Sequence, residues 1–404
     1  MWFAGVDWAD EHHDVVIIDG DARQVGARRV LHTPAGLTEL TEYLASITGP
    51  ERKEELACIV ETTHGLLIAA LLAAGYPVYP VNPKTVDRKR GAAGAKTDQI
   101  DAYLLAKHGR SEFADLRRLA PDSPLVAELK ALTRDQDGLI QMQTRLVNQL
   151  TACLKAYYPV ALVLFSKLHQ RSTLHFLQAY PTPHAAQAAS VDQFISVLKQ
   201  AGHPTPEPAA AKLAATLQQP FLHADEVTTR TKARLMLALV RQLLPVIEEI
   251  AAYDREIERL FLTHADSRLI RSLPRAGKRL APRLLAELGE DRHRYQTAAS
   301  LQALAGTSPV PYESGKYAKP HRRYACIKPL RNVLQQFAWQ STQTEAWALD
   351  YYQRKRQAGK SHSVAVRALA NVWCRIIFAL WTKREGYQRA TFEAAQRRHA
   401  PRAA

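Results

Sequence analysis

The chain contains 404 residues, of which 47% are hydrophobic and 23% are charged. This composition is typical of a folded protein of two or three domains and excludes an intrinsically disordered chain. The formal net charge is +15, and residues 315–404 hold 18 Lys and Arg against 4 Asp and Glu. This concentration of positive charge favours a nucleic-acid partner, with a solvated basic surface as the alternative.

The four cysteines are widely separated, and none forms a Cys-x-x-Cys pair. The sequence therefore predicts neither a zinc site nor a disulfide framework, and it fits a reducing compartment. No signal-peptide pattern opens the sequence, and its apolar runs are shorter than the ~20 residues that span a bilayer. We therefore expect a cytoplasmic protein with no membrane partner.

Residues 1–115 predict an α/β domain, because short apolar strands alternate with segments of helical periodicity. The predicted elements are strands at 2–8, 13–19 and 25–31, a helix at 34–47, a strand at 56–60, a helix at 66–74, a strand at 77–81 and a helix at 98–108. This order, βββαβαβα, is that of the ribonuclease H topology. The sugar-kinase and actin fold also begins with a Gly-x-Asp strand, but Trp8-Ala9-Asp10 lacks the glycine and hydroxyl residue that it would use for phosphate.

Four carboxylates occupy positions that this topology would bring together. Asp7 lies in the first strand, and Glu61 follows the fourth strand, which should run parallel beside the first. Asp98 and Asp101 are three residues apart and so share one face of the last helix. Because such hard oxygen ligands hold paired Mg²⁺ ions in phosphoryl transfer, the four acids predict a magnesium site, with Mn²⁺ also possible. Singly, each acid could instead be a helix cap or a solvated surface residue.

Residues 116–265 predict two long amphipathic helices, at 123–158 and 228–261, whose apolar residues recur at intervals of three and four. They predict an antiparallel coiled coil, with an insert of short helices and loops near 160–227. Packing or dimerisation is the expected role of this region.

Residues 266–404 predict a basic, mostly helical domain. Residues 272–289 resemble a degenerate helix-hairpin-helix, whose glycine-containing turn would offer backbone N–H groups to phosphate. Ser314 precedes Gly315 in a predicted loop, where it could be an exposed nucleophile or an ordinary turn residue. Basic residues in three places are expected to contact nucleic acid: Lys84, Arg88, Lys89 and Arg90; Arg275 and Lys278; and Lys316, Lys319, Arg322, Arg323, Lys328 and Arg331.

Taken together, these motifs resemble the DEDD transposases of the IS110 group of insertion sequences, which are recombinases guided by a bridge RNA. The resemblance extends over nearly the whole chain and rests on Gly5-Val6-Asp7, Glu61-Thr62-Thr63, Lys96-Thr97-Asp98-Gln99-Ile100-Asp101-Ala102, Ser314-Gly315 and Lys328-Pro329-Leu330-Arg331-Asn332. The sequence departs from the group at Pro274-Arg275-Ala276-Gly277, which is not the glycine-rich form of the hairpin turn, and at Lys328-Pro329, where many relatives have Lys followed by Gly.

The resemblance implies a RuvC-like domain with Asp7, Glu61, Asp98 and Asp101 as metal ligands, a coiled-coil region, and a transposase domain with Ser314 as nucleophile. It also implies cutting and rejoining of DNA through a phosphoserine intermediate, at composite sites within a dimer or tetramer. Its partners would be double-stranded donor and target DNA and a noncoding bridge RNA. From the residues alone, two other functions stay open: a metal-dependent, structure-selective nuclease that uses water, and a non-enzymatic nucleic-acid-binding protein.

Overall fold

The structure is a computed structural model, which describes residues 1–82, 86, 97–315 and 317–399, with side chains for all of these except 317, 318 and 395–399. The chain separates into two compact units, Met1–Pro121 and Asp122–Ala404. The predicted further division at residue 265 stays a prediction. Each unit is described by itself.

The first unit contains a sheet and helices in the predicted order βββαβαβα, with two short 3-10 turns. Its elements are β1 (Trp2–Trp8), β2 (His12–Ile18), β3 (Gln24–Leu31), α1 (Pro34–Thr48), β4 (Leu56–Val60), α2 (Leu66–Ala73), β5 (Val78–Pro80) and α3 (Asp98–Ser111). The order predicted from periodicity is confirmed, and these eight elements differ from the predicted ones only at their ends. Thr33 and Thr97 cap α1 and α3, because each side chain accepts a hydrogen bond from a backbone N–H of the first helical turn.

The five strands form one mixed sheet in the order β3-β2-β1-β4-β5. β1 pairs antiparallel with β2 and parallel with β4, and β5 continues parallel to β4. One hydrophobic cluster lies between the sheet and α1 and α2, and a second lies between the sheet and α3. Coverage of both faces explains why β1 and β4 are almost continuously apolar. The arrangement is consistent with the ribonuclease H-like domain expected from the sequence.

The close approach of α3 to β1 depends on Gly5. A Cβ atom at this position would overlap the backbone carbonyl oxygen of Ala102 and the backbone nitrogen of Ala106. Gly109 serves the same purpose farther along α3, where a side chain would overlap Ile59 of β4. Because the helix backbone lies directly on the sheet, the first turn of α3 is held beside the ends of β1 and β4.

The second unit is mostly helical and contains one small β-hairpin. Its elements are α4 (Pro124–Tyr157), α5 (Val160–Leu164), α6 (Arg171–Ala179), α7 (Pro183–Gln187), α8 (Val191–Gln200), α9 (Pro206–Leu217), α10 (Glu226–Thr263), α11 (Ser267–Arg271), α12 (Gly277–Leu288), α13 (Ala298–Leu304), β6 (Glu313–Ser314), β7 (Tyr317–Ala318), α14 (Lys328–Ser341), α15 (Ala346–Gln357), α16 (His362–Lys383) and α17 (Arg389–His399).

The two long helices, α4 and α10, pack against each other in antiparallel directions. Gln136 donates a hydrogen bond to Asp254 (2.8 Å), and farther along α4 the Cys153 thiol lies 3.4 Å from the carbonyl oxygen of Lys232. The antiparallel pairing agrees with the prediction, whereas the coiled-coil geometry stays a prediction. The short helices α5 to α9 form the insert and bury their apolar faces against one end of this pair. The other end shares a core with the C-terminal helices, so one hydrophobic cluster contains residues from both sides of the predicted boundary at 265.

One described helix, α16, is long and apolar enough to cross a membrane by length and composition. Its apolar face belongs to the core of the second unit, where Leu369, Trp373 and Trp381 are buried. The indole N–H of Trp373 donates a hydrogen bond to the hydroxyl of Ser341 in α14 (2.8 Å). These contacts are those of a core helix, in which a buried tryptophan finds a polar partner.

Candidate catalytic carboxylates and serine hairpin

Three carboxylates follow one another across the sheet of the first unit. Asp7 in β1 stands directly opposite Asp14 in β2. On the other side of β1, Val60 ends β4 as the partner of Val6, so Glu61 follows immediately beside Asp7. Cross-strand neighbours have their side chains on the same face of a sheet. We call Asp7, Asp14 and Glu61 the acid row.

The acid row lies on the face of the sheet that α3 covers. Phe3, two strand periods before Asp7, packs in the cluster with α3 residues, and Gly5 contacts the helix backbone. Alternate residues of a strand share a face, so Asp7 continues the series toward the first turn of α3. That turn carries Asp98 and Asp101, directly after the capping residue Thr97. All four acids predicted from the sequence are therefore brought to one end of the sheet.

The pKa of Asp7 reflects the other carboxylates that lie near it. The pKa of Asp7 is raised to about 6, first by its burial and then by the negative charges of Asp101, Glu61, Asp98 and Asp14. A carboxyl group surrounded by other carboxylates resists ionisation, because each neighbour repels the new charge. The negative charge of these carboxylates therefore exceeds the positive charge that side chains of the site supply.

Sequence reasoning missed three residues at this site: His12, Asp14 and Arg29. Asp14 is only 6% exposed, and the Arg29 guanidinium in β3 binds its carboxylate in a forked arrangement, with Nη2 2.8 Å and Nε 3.1 Å from Oδ2. Arg29 Nη2 also lies 3.4 Å from the Asp98 carboxylate. The His12 imidazole lies 3.5 Å from the same Asp98 oxygen and 3.7 Å from Asp14. The register of the predicted β1–β2 hairpin could have identified Asp14, because it places this residue opposite Asp7.

Two sets of residues here could hold a metal ion. Ligand atoms of His12, Asp14 and Asp98 all lie within 4.8 Å of one another, but the Arg29 guanidinium already supplies positive charge to both of these carboxylates. The predicted set, which is Asp7, Glu61, Asp98 and Asp101, offers hard oxygen donors, and burial together with the charges of the other three raises the pKa of Asp7. This donor chemistry fits Mg²⁺ or Mn²⁺.

Ser314 lies in the second unit, at the tip of a β-hairpin rather than in the irregular loop that we expected. Glu313 pairs with Ala318, and Ser314 pairs with Tyr317. The turn between them begins with Gly315, whose φ of +59° is the left-handed conformation that two-residue hairpin turns require. The Ser–Gly pair is thus the sequence feature that could have indicated a hairpin turn. Ser314 is exposed, so its hydroxyl is open to a large substrate.

The base of this serine hairpin is attached to the helical core. Val310 and His321 exchange two backbone hydrogen bonds (2.9 and 2.8 Å) where the two arms begin. Just before the first arm, the Thr307 hydroxyl donates a hydrogen bond to the Asn371 side chain of α16 (2.9 Å). The hairpin therefore extends from a fixed base and carries Ser314 at its exposed end.

The basic residues predicted to contact nucleic acid are in different environments. Arg275 hydrogen-bonds the Gln343 side chain (2.7 Å), and Lys278 pairs with Glu258 (3.1 Å), which offsets its charge. Near the serine hairpin, Lys319, Arg322 and Lys328 are exposed, while Arg323 and Arg331 are partly buried. Five predicted residues lie outside the described part of the chain: Lys84, Arg88, Lys89, Arg90 and Lys316.

Comparison with known proteins finds two family matches. A transposase family of the DEDD IS110 type matches residues 4–159, which contain the four predicted acids, and the transposase IS116/IS110/IS902 family matches residues 267–353, which contain Ser314. The mini-circle putative transposase for IS117 of Streptomyces coelicolor is 30% identical over 91% of this chain and 91% of its own length. The IS116 uncharacterized 44.8 kDa protein of Streptomyces clavuligerus is 31% identical over 94% of each chain. The IS900 uncharacterized 42 kDa protein of Mycobacterium paratuberculosis is 29% identical over 98% of this chain and 99% of its own length.

Proposed function

The chain belongs to the IS110 family of transposases, and we propose that it is the RNA-guided, site-specific recombinase of an insertion sequence, with four acids and Ser314 as its catalytic residues. Membership of the family implies DNA transposase activity. The observation that carries the finer proposal is the convergence of Asp7 and Glu61 with Asp98 and Asp101 at one end of the sheet. Double-stranded donor and target DNA are the proposed substrates.

The acids are proposed to act as a metal-binding group. Asp7 and Glu61 come from strand ends, and Asp98 and Asp101 come from a helix whose backbone packs directly on the sheet at Gly5, so the oxygens are presented by closely packed elements. A bound Mg²⁺ or Mn²⁺ would supply Lewis-acid polarisation of a phosphodiester oxygen. Arg29 holds Asp14 and reaches Asp98, and thereby limits the repulsion within the group when no other cation is bound.

Ser314 is the proposed nucleophile. Its oxygen attacks the phosphorus of a DNA phosphodiester, the bond from phosphorus to the 3′ oxygen breaks, and the serine proton ends on that 3′ oxygen. A 3′-hydroxyl of the exchanged strand then attacks the phosphoserine and releases the serine, so each step replaces one phosphoester bond by another. A serine hydroxyl alone is a weak nucleophile. The basic residues beside the hairpin support it, because positive charge stabilises the phosphate as negative charge develops on it.

Covalent trapping tests the nucleophile. End-labelled DNA that carries the ends of the element is incubated with protein, Mg²⁺ and RNA transcribed from the element, and then resolved on a denaturing gel. Wild-type protein should give a protein–DNA adduct, and Ser314→Ala should abolish it while DNA binding is retained. Ser196→Ala is the matched control, because Ser196 is an exposed serine on α8 of the insert, and it should behave as wild type.

Other outcomes of this experiment point to other functions. Adducts at the wild-type level in Ser314→Ala would show that Ser314 is not the nucleophile. Free 5′-phosphate ends without adduct in the wild-type protein would indicate a metal-dependent nuclease that uses water. Binding of DNA with no Mg²⁺-dependent product would indicate a non-enzymatic nucleic-acid-binding protein.

We further propose that a bridge RNA from the element selects both DNA partners and that the protein acts as a homodimer or homotetramer. The support is the resemblance of the motifs to the RNA-guided group and the net charge of +15. Sequencing of RNA that copurifies with the tagged protein from cells carrying the element should recover its noncoding segment. Size-exclusion chromatography with light scattering should give two or four chains per particle. Recovery of that segment at the level of a mock purification, or a purely monomeric particle, would contradict the respective proposal.

A further inference from the structure

Arg367 in α16 is a partly buried arginine without an acidic partner in the described part of the chain. Other arginines of the same unit form ion pairs with carboxylates that are themselves largely buried; examples are Arg134 with Glu287 (2.8 Å), Arg292 with Asp266 (2.7 Å) and Arg389 with Glu345 (2.7 Å). No such pair involves Arg367 among the described residues. An unpaired charge loses hydration when it is partly buried, which costs free energy. No ion pair with a described carboxylate offsets this cost for Arg367, so a structural role does not explain its position.

The charged residue that acts most strongly on Arg367 is another cation. The pKa of Arg367 is lowered, first by its burial and then by the positive charge of Arg322. The Arg322 guanidinium lies over the ring of Tyr324, 5.4 Å from its centre, and Tyr324 is 75% exposed. Two guanidinium groups and an exposed aromatic ring therefore form one surface, which we call the arginine–tyrosine surface (Arg322, Tyr324 and Arg367).

This surface lies at the base of the serine hairpin. Arg322 directly follows His321, the residue that closes the hairpin arms by pairing with Val310. Arg367 lies one helical turn before Asn371, whose side chain accepts the hydrogen bond from Thr307 that attaches the other arm. Beside Arg322, the Nε–H of Arg323 is buried and has no hydrogen-bond partner among the described residues. Positive charge and one unpartnered buried N–H thus lie together in this described part of the chain.

We propose that Arg322 and Arg367 together bind one backbone phosphate of the DNA strand on which Ser314 acts, with Tyr324 packed against the adjacent sugar or base. This inference rests on the proposed function of the serine hairpin and extends it by a binding site for the strand. A phosphate removes the repulsion between the two guanidinium groups, and each can bind it through two parallel N–H donors. Contacts of this kind position a strand and do not read its sequence. Arg367 is thus a positioning residue.

The test measures binding in the Ser314→Ala background, so that no chemistry takes place and failure of the proposed nucleophile cannot affect the result. Fluorescence anisotropy with a labelled DNA duplex, from about 50 to 200 mM salt, gives the affinity and the slope of log affinity against log salt concentration. Arg367→Gln should weaken binding and reduce the magnitude of the slope by part of the ~0.9 expected for one phosphate contact, because Arg322 still faces that phosphate. Arg322→Gln combined with Arg367→Gln should reduce it by about 0.9 in total, because the two residues share one phosphate.

Arg375→Gln is the matched control, because Arg375 is an exposed arginine two turns farther along α16, and it should leave the slope unchanged. Arg367→Lys should retain the slope with a lower affinity, since lysine keeps the charge but not the fork. Arg367→Gln should leave Tm unchanged or raise it, whereas Tm would fall if Arg367 stabilised the fold. The proposal is overturned if Arg367→Gln matches the control, if Tm falls with the affinity, or if only the affinity for an RNA probe decreases.

Discussion

The acid row and the arginine–tyrosine surface each gather charge of one sign, but they are built differently. The acid row is presented by neighbouring strands and completed by the first turn of α3. The arginine–tyrosine surface combines an irregular segment after the hairpin with one residue of α16. In both places the pKa of a central residue shifts against its charged form: that of Asp7 is raised and that of Arg367 is lowered.

The difference fits the ligand that we propose for each site. Metal ions require oxygen ligands at fixed distances, and adjacent strands under a tightly packed helix provide fixed distances. A phosphate in a polymer can be contacted by long side chains over a range of positions, so two arginine side chains near the base of the hairpin suffice. The acid row also has a counter-ion beside it, because Arg29 pairs with Asp14, whereas Arg322 and Arg367 form no ion pair with a described carboxylate.

Loss of one carboxylate should impair the proposed metal site and leave the arginine–tyrosine surface unaffected. Asp101→Asn removes a charge from the carboxylate group and should reduce strand transfer by on the order of 10³-fold, because metal-assisted charge stabilisation contributes several kcal/mol to such reactions. DNA binding should be retained. The measurement is product formation on labelled DNA, with Asp115→Asn, an exposed acid of the same unit, as control. Transfer at the control level would dismiss Asp101 as a ligand.

Gly5→Ala should test whether the acid row depends on close packing of α3. The new methyl group would overlap backbone atoms of Ala102 and Ala106, which cannot rotate away as a side chain could. We expect a loss of about 3 kcal/mol in unfolding free energy, measured by urea unfolding, together with loss of strand transfer. Gly138→Ala in α4 is the control, because nothing lies within 4 Å of its added Cβ, and it should stabilise by up to ~1 kcal/mol. Equal stabilities of the two variants would refute the packing argument.

The burial of Asp7 and its repulsion by neighbouring carboxylates should appear as a pH dependence of the metal-free protein. Folded Asp7 keeps its proton up to about pH 6, whereas the unfolded chain releases it near 3.8. The folded state therefore binds more protons in this window, and the unfolding free energy should fall as pH rises from about 4 to about 6. The fall should be about 1–2 kcal/mol after allowance for solvent screening. The difference between wild type and Asp7→Asn isolates this group, and a difference independent of pH would contradict the interpretation.

The smallest expected effect concerns the internal counter-ion. Arg29→Met leaves the Asp14 side chain, which is 8% exposed, without its cation, so Tm at pH 7 without Mg²⁺ should fall. Arg28→Met is the matched control on the same strand, because the Arg28–Glu39 pair is exposed on both sides and such pairs contribute little. Added Mg²⁺ should raise Tm of Arg29→Met more than that of the wild type. Equal Tm values for the two variants would show that Arg29 is not needed there.

The residues predicted from the sequence account for much of the first unit and less of the second. Strand and helix periodicity placed β1, β4 and α3 correctly, and so the acids Asp7, Glu61, Asp98 and Asp101 could be expected near one another. Asp14 was missed because its role depends on hairpin register. Arg367 was missed because helical periodicity assigns α16 to the core and says nothing about which loop contacts its polar side.

The sequence by itself determined the order of strands and helices in the first unit, the family and the surplus of positive charge, because these follow from local periodicity, short motifs and composition. The tertiary structure decided which charges meet: Arg29 with Asp14 and Asp98, and Arg322 with Arg367. Residues far apart in the chain acquire these neighbours only when strands pair and helices pack. Electrostatic energy depends on the distances and burial that result, and neither quantity is encoded at any single position.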